Sequence, residues 1–311
     1  MEFIRAATLD EALAAKAENP DAVPIAGGTD VMVELNFDRR RPGVLLDLTP
    51  VDELARWSTV DGRVRLGAGV SYARIIAELS DRLPGLAMAS RTVGSPQIRN
   101  RGTVGGNLGS ASPAGDAHPP LLATAADVEV ASVRGVRTVP VGEFFTGPKR
   151  NALAPDELVI AVLTPAATGP QQFAKVGTRN AMVIAVCSFS VALHPGPGTV
   201  STVSTVGSVG SVGSVGTVGT VGTGIGSAGP TPLRAAEAED FAAAELAGRW
   251  QSREPLPEPV LRRFGELVGS AARPIDDVRG TAAYRRHALA VLARRTLSWA
   301  WEDYRTGRWS A

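Results

Sequence analysis

Two short segments hold the residue types that could do chemistry. Pro24-Ile25-Ala26-Gly27-Gly28-Thr29-Asp30-Val31 is an apolar run entering a Gly-Gly turn, where successive amides unshielded by side chains can point at an anion such as a pyrophosphate. It has neither the Lys of a P-loop nor the spacing of G-x-G-x-x-G, so an NTPase and a Rossmann site are unsupported. Arg101-Gly102-Thr103-Val104-Gly105-Gly106-Asn107-Leu108-Gly109-Ser110-Ala111-Ser112-Pro113-Ala114-Gly115-Asp116 holds a second Gly-Gly turn, followed by hydroxyls and a carboxylate. Two such turns in one domain could hold a diphosphate between them. Thr103, Ser110 and Ser112 would offer hydroxyls, and Asp116 could accept from ribose or ring groups. Taken alone, the first segment reads equally as a structural turn, and Asp116, which precedes a helix, equally as an N-cap.

Composition narrows what such a site could serve. The chain has 311 residues with 32 basic against 31 acidic side chains, a net charge of +1, so no field gathers nucleic acid or an anionic membrane. No run of about 18 apolar residues reads as a membrane span, and Met1-Glu2-Phe3-Ile4-Arg5 lacks the pattern of a secretion signal, so a cytoplasmic protein is expected. Cys187 is the only cysteine, which rules out intrachain disulfides and Cys-ligated zinc or iron-sulfur clusters on this chain alone. His118, His194 and His287 form no ligand-spaced pair, so no metal site is expected. Any redox chemistry must therefore use a bound cofactor.

The elements that position these segments read as α+β. Thr8-Leu9-Asp10-Glu11 fits a capping box for a helix to about Asn19, and Ser71 could cap a helix reaching Leu79. Strands are expected at Ala22 to Ile25, Val44 to Leu48, Arg63 to Leu66, Val128 to Ala131 and Leu158 to Leu163, and a helix at Pro119 to Ala125. Val93 to Asp116 reads as a working loop. The prolines and glycine of Pro165-Ala166-Ala167-Thr168-Gly169-Pro170 suit a domain boundary. Beyond it, strands are expected at Gln172 to Val176 and Val183 to Leu193, and helices at Ala235 to Ala247, Glu258 to Val268 and Gly280 to Tyr304. Tyr284-Arg285-Arg286-His287 reads as a solvated or interface face. From Thr199 to Gly222, triplets of Ser or Thr, Val, and Ser or Gly match neither helix nor strand period, and read as an exposed hairpin extension or disordered insertion.

Ala26-Gly27-Gly28-Thr29-Asp30 and Thr103-Val104-Gly105-Gly106-Asn107, with Ala111-Ser112-Pro113-Ala114-Gly115-Asp116, resemble the FAD-binding subunit of molybdenum hydroxylases, the family of xanthine dehydrogenase and the carbon monoxide dehydrogenase medium subunit. The resemblance continues through Phe173-Ala174-Lys175, Arg179-Asn180-Ala181-Met182, Pro230-Thr231-Pro232-Leu233-Arg234-Ala235 and Pro274-Ile275-Asp276-Asp277-Val278-Arg279-Gly280 with Tyr284-Arg285-Arg286, covering nearly the whole chain. It implies a two-subdomain FAD-binding domain of the vanillyl-alcohol oxidase/PCMH type over 1–167 (about 1–57 and 58–167). A C-terminal domain of a three-stranded antiparallel sheet and helices would cover 171–308, with the triplet tract, 199–224, as an insertion.

The same resemblance implies noncovalent FAD, its diphosphate held by Pro24 to Val31 and Thr103 to Asn107, with Ser112 and Asp116 alongside. Val93, Val159 and Lys175 would lie near the flavin or adenosine part; without the resemblance, Lys175 reads as a surface lysine on a strand. No catalytic side chain is implied, because the flavin itself exchanges the electrons. Molybdopterin and 2Fe-2S clusters would sit on partner subunits in a dimer of heterotrimers, with NAD or another acceptor taking the electrons and a purine such as xanthine as the complex's substrate. Val183 stands where the family often has an acidic residue, which leaves the acceptor open. A free-standing FAD-dependent oxidoreductase would need acid-base residues over the flavin, and no such set is visible. A nucleotide-binding scaffold without flavin would be colourless.

Overall fold

A computed structural model describes residues 1–196 and 219–309. The chain begins with a three-stranded parallel sheet and its crossovers: β1 (Glu2–Arg5), α1 (Leu9–Glu18), β2 (Val23–Ile25), α2 (Val31–Asn36) and β3 (Val44–Asp47), in the order β1-β3-β2. Thr8 caps α1 by accepting from the Glu11 amide at 3.2 Å, while the Glu11 carboxylate accepts from the Ala7 amide at 2.8 Å. Pro24 is tolerated because β2 is an edge strand, where a missing N–H costs no ladder bond.

A mixed segment follows. β4 (Trp57–Val60) and β5 (Arg63–Gly67) lead into five helices: α3 (Tyr72–Glu78), α4 (Pro84–Thr92), α5 (Pro96–Arg101), α6 (Val104–Ser110) and α7 (His118–Ala123). Then come β6 (Asp127–Ser132), β7 (Gly135–Pro140), α8 (Val141–Phe144), the small hairpin β8 (Phe145–Gly147) and β9 (Arg150–Asn151), and β10 (Leu158–Pro165). The antiparallel sheet runs β4-β5-β10-β6-β7. It shares one buried core with the first sheet, from Ala6 through Leu46 and Leu66 to Val162.

The last part is a three-stranded antiparallel sheet, β11 (Gln171–Val176), β12 (Cys187–His194) and β13 (Thr220–Gly226), backed by α9 (Ala236–Ala247), α10 (Arg249–Ser252), α11 (Glu258–Ala271) and α12 (Ala282–Thr306). Its separate core joins Phe189, Phe264, Leu289 and Trp301.

Three expectations need correction. Val93 to Asp116 is no loop, because side-chain caps start two short helices inside it: Ser95 Oγ accepts from the Ile98 amide and Thr103 Oγ1 from the Gly106 amide. The triplet tract does not extend intact to residue 224. Thr220–Gly226 is a strand whose Val221, Thr223 and Ile225 are buried, while Cβ atoms on Gly222 and Gly224 would lie 2.0 Å from the Ala123 and Pro119 carbonyls of α7. Glycine there lets α7 lie against the sheet, a two-residue period hidden within the triplets. The earlier triplets, to residue 218, and with them the choice between a hairpin extension and a disordered insertion, lie outside the described residues. Finally, Arg285 is not solvated. It is buried, and its guanidinium donates to the Val186 and Ser227 carbonyls at 2.8 and 2.6 Å and to Asp277 at 2.5 Å, tying the sheet to the 277–280 turn.

Candidate functional site

The two glycine-rich segments meet. A Cβ on Gly27 would fall 1.8 Å from the Arg101 carbonyl oxygen, so the turn after β2 packs backbone to backbone on the end of α5. Beside this contact opens a cleft of about 760 Å³, walled by the first turn, α6, the 112–116 turn, the end of α4 and β10. Of the residues expected to hold a cofactor, Pro24, Ala26, Gly27, Gly28, Thr29, Asp30, Val31, Val93, Thr103, Gly105, Gly106, Asn107, Ser112, Asp116 and Val159 line it. Ile25, Val104 and Lys175 do not: Val104 is wholly buried in the core, and Lys175 reaches the cleft only through Asp116.

The first turn is an open cradle. Gly28 takes φ +74°, a conformation costly for residues with a Cβ, and the amides of Gly27, Gly28, Thr29 and Asp30 find no acceptor among the described residues. Asp30 precedes α2 without a side-chain capping bond. Consecutive N–H groups with no partner beside a cleft are what an anion requires.

The second segment is built differently. The Gly105 amide donates to the Ala68 carbonyl at 3.0 Å, Gly106 to Thr103 Oγ1 at 3.0 Å and Asn107 to the Thr103 carbonyl at 3.1 Å. Its amides are thus committed to the fold, contrary to the expectation of a second free-amide turn. What it offers instead is bare surface: a Cβ on Gly106 would meet only Thr103 Oγ1, and one on Gly109 nothing within 4 Å. Spaced i, i+3, both residues line the cleft from one face of α6, leaving backbone on which a flat group can lie.

Asp116 closes the cleft as a buried anion. Its Oδ2 accepts from Lys175 Nζ at 2.7 Å, and Lys175 also donates to the Thr92 carbonyl at 3.0 Å. With its side chain only 7% exposed, Lys175 is not the surface lysine of the alternative reading. Nor is Asp116 an N-cap, since Ala117 holds that position in α7. Burial pushes the Asp116 carboxyl up to about 6, against the downward pull of the Lys175 ammonium, and its Oδ1 has no partner. The neighbouring His118 is buried against the Phe145 ring at 4.3 Å, and desolvation lowers it to about 4, so it is a neutral packing residue.

Residues that sequence reasoning missed also line the cleft, among them Tyr72, Gly94, Ile98 and Gly102. Tyr72 gave no signal, because an aromatic following a Ser cap reads as ordinary helix. Across the mouth, Lys149 Nζ meets Glu34 at 2.7 Å, linking the β8–β9 hairpin to α2.

The cleft thus has an amide cradle on one wall and a bare glycine face on the other. The FAD binding domain in molybdopterin dehydrogenase matches residues 1–167, and the CO dehydrogenase flavoprotein C-terminal domain matches 172–300. The chain belongs to the family of FAD-binding subunits of molybdenum hydroxylases. It is 30% identical over 306 residues to the xanthine dehydrogenase FAD-binding subunit of Escherichia coli O157:H7, covering 95% of this chain and 94% of that one. It is 29% identical to the nicotine 6-hydroxylase medium subunit of Paenarthrobacter nicotinovorans, covering 96% of each. A chain of the carbon monoxide dehydrogenase of Hydrogenophaga pseudoflava superposes with a TM-score of 0.81 at 26% identity over 97% of each chain. Among the described residues, no helix is long and apolar enough to cross a membrane.

Proposed function

We propose that the cleft binds FAD noncovalently and that the chain is the electron-transfer subunit of a molybdenum hydroxylase complex. The observation that carries this reading is the run of partnerless amides from Gly27 to Asp30 beside a cleft large enough for a dinucleotide. These amides would hold the diphosphate, with Pro24 to Val31 forming the wall around it. Gly106 and Gly109 would let the cofactor lie against α6, flanked by Thr103, Asn107 and Ser112. The partnerless Oδ1 of Asp116, held in place by Lys175, would accept from a ribose or ring donor, and Val93 and Val159 would supply apolar contact. Bound FAD would supply the redox chemistry between iron-sulfur clusters on a partner subunit and NAD or another acceptor. This chain's own residues bind, orient and exclude water. Substrate oxidation would occur on a separate molybdopterin subunit, in a cytoplasmic dimer of heterotrimers.

The purified chain should be yellow, and acid precipitation should release FAD. A folded chain that neither carries nor takes up FAD would refute the assignment.

A further inference from the structure

The cleft contains a second buried polar atom without a partner. Tyr72 is 2% exposed, it is one of the residues lining the cleft, and its hydroxyl oxygen is buried with no hydrogen-bond partner. A phenol so placed costs folding free energy, because it has lost water and gained nothing in return. Its position is well determined: its amide donates to the Gly102 carbonyl at 3.0 Å, and Ser71 before it bridges to Thr103.

Tyr72 and the first turn are neighbours. A Cβ on Gly102 would lie 3.4 Å from Tyr72 Cδ2 and 3.5 Å from Thr29 Oγ1, so the ring and the free-amide turn flank the same point. The Tyr72 ring therefore stands beside the turn that carries the free amides. Burial, then the charges of Asp116 and Asp30, hold the phenol well above its ordinary value, so it stays protonated and can donate.

We propose that Tyr72 is a ligand-positioning residue whose hydroxyl donates a hydrogen bond to a diphosphate oxygen of the bound dinucleotide. This rests on the reading that the cleft binds FAD. The bond would be the one the unliganded fold leaves unmade, so the cost of the buried hydroxyl is recovered only on binding.

The test compares the full chain with Tyr72→Phe, freed of cofactor, by calorimetric titration with FAD and with ADP, alongside thermal melts. The expected result is about tenfold weaker binding of both ligands in the variant, as for one hydrogen bond to a charged group. The melting temperature of the free variant should equal or exceed that of the parent, since a partnerless group has been removed. Equal FAD affinity in the two proteins would overturn the proposal. So would a lower melting temperature of the free variant, which would show a partner within the chain. Weakened FAD with unchanged ADP would place the bond elsewhere on the ligand and overturn the diphosphate assignment. If the parent itself binds no FAD, the functional reading fails first and this inference falls with it.

Discussion

The two Gly-Gly segments carry nearly the same residues and use their backbones in opposite ways. In Ala26-Gly27-Gly28-Thr29-Asp30 the amides are free and one glycine has positive φ; in Thr103-Val104-Gly105-Gly106-Asn107 the amides are bonded within the chain and the glycines are helical. The difference arises from what precedes each pair. Ile25 ends an edge strand, and although the Gly28 and Asp30 carbonyls accept from the Met32 and Glu34 amides, the amides from Gly27 to Asp30 face no carbonyl. Thr103 has a hydroxyl positioned to start a helix, and Ala68 supplies a carbonyl for Gly105. A diphosphate cradle is thus not a property of Gly-Gly itself. It requires amides that the fold has left over, and here one wall supplies donors while the other supplies clearance.

The largest effect should come from breaking the contact between the walls. Gly27→Ala drives a methyl into the Arg101 carbonyl backbone, which no side-chain rotation relieves; a loss of about 3 kcal/mol is expected, read as a lower denaturation midpoint. A midpoint equal to the parent's would show that the two segments do not pack as described.

Asp116 sharpens the second wall. Its folded pKa, about 6, lies above the ordinary 3.8, so the folded chain binds the proton more tightly than the unfolded one. The stabilisation is complete below about pH 4 and is lost as pH rises through 6, an effect of roughly 3 kcal/mol at most in the unliganded chain. Asp116→Asn should flatten this part of the stability profile. An unchanged slope would assign it to another group.

Gly106→Ala separates clearance from folding. Alanine is favoured over glycine in a helix by roughly 0.5–1 kcal/mol, and only Thr103 Oγ1 stands near the added methyl, so the free chain should melt no lower. FAD affinity should nevertheless fall several-fold, measured by fluorescence titration. Gly105→Ala, only one position away, meets Ala68 Cβ at 2.5 Å and should damage the fold instead. Were the two variants alike, the bare face of α6 would have no role in binding.

The smallest effect is expected at the mouth. Glu34→Gln removes an ion pair with a Lys149 side chain that is 65% exposed, worth about 0.5 kcal/mol or less and diminished by salt. A loss insensitive to salt would mean that the link does more than bridge two surfaces.

Helix caps explain why part of the fold was legible: Thr8 and Ser71 accept from the first turns of α1 and α3, and β5, β6 and β10 alternate or run apolar as expected. The failures have physical causes. β13 was hidden because its glycines answer to α7, a partner about 100 residues earlier in the chain. Helix α6 was hidden because its glycines lower helix propensity and tertiary contacts override it, and α5 because six residues between Gly94 and Gly102 are too few to show a helical period. In the site, both turns were visible as Gly-Gly pairs, but whether an amide is free depends on carbonyls such as that of Ala68, which local sequence does not disclose. Lys175 and Asp116 came together only through the resemblance to a family, since 59 positions separate them. Tyr72 was not legible, because its significance lies in a bond it does not make.

The central claim is that the first turn donates to the cofactor while the second only makes room for it. Hydrogen exchange at the individual amides, with and without FAD, tests this directly. The account predicts that Gly27, Gly28, Thr29 and Asp30 exchange fast in the free chain and become protected on binding, while Gly105 and Gly106 are protected in both states. Protection appearing at Gly105 and Gly106 with none at Gly27 to Asp30 would contradict it.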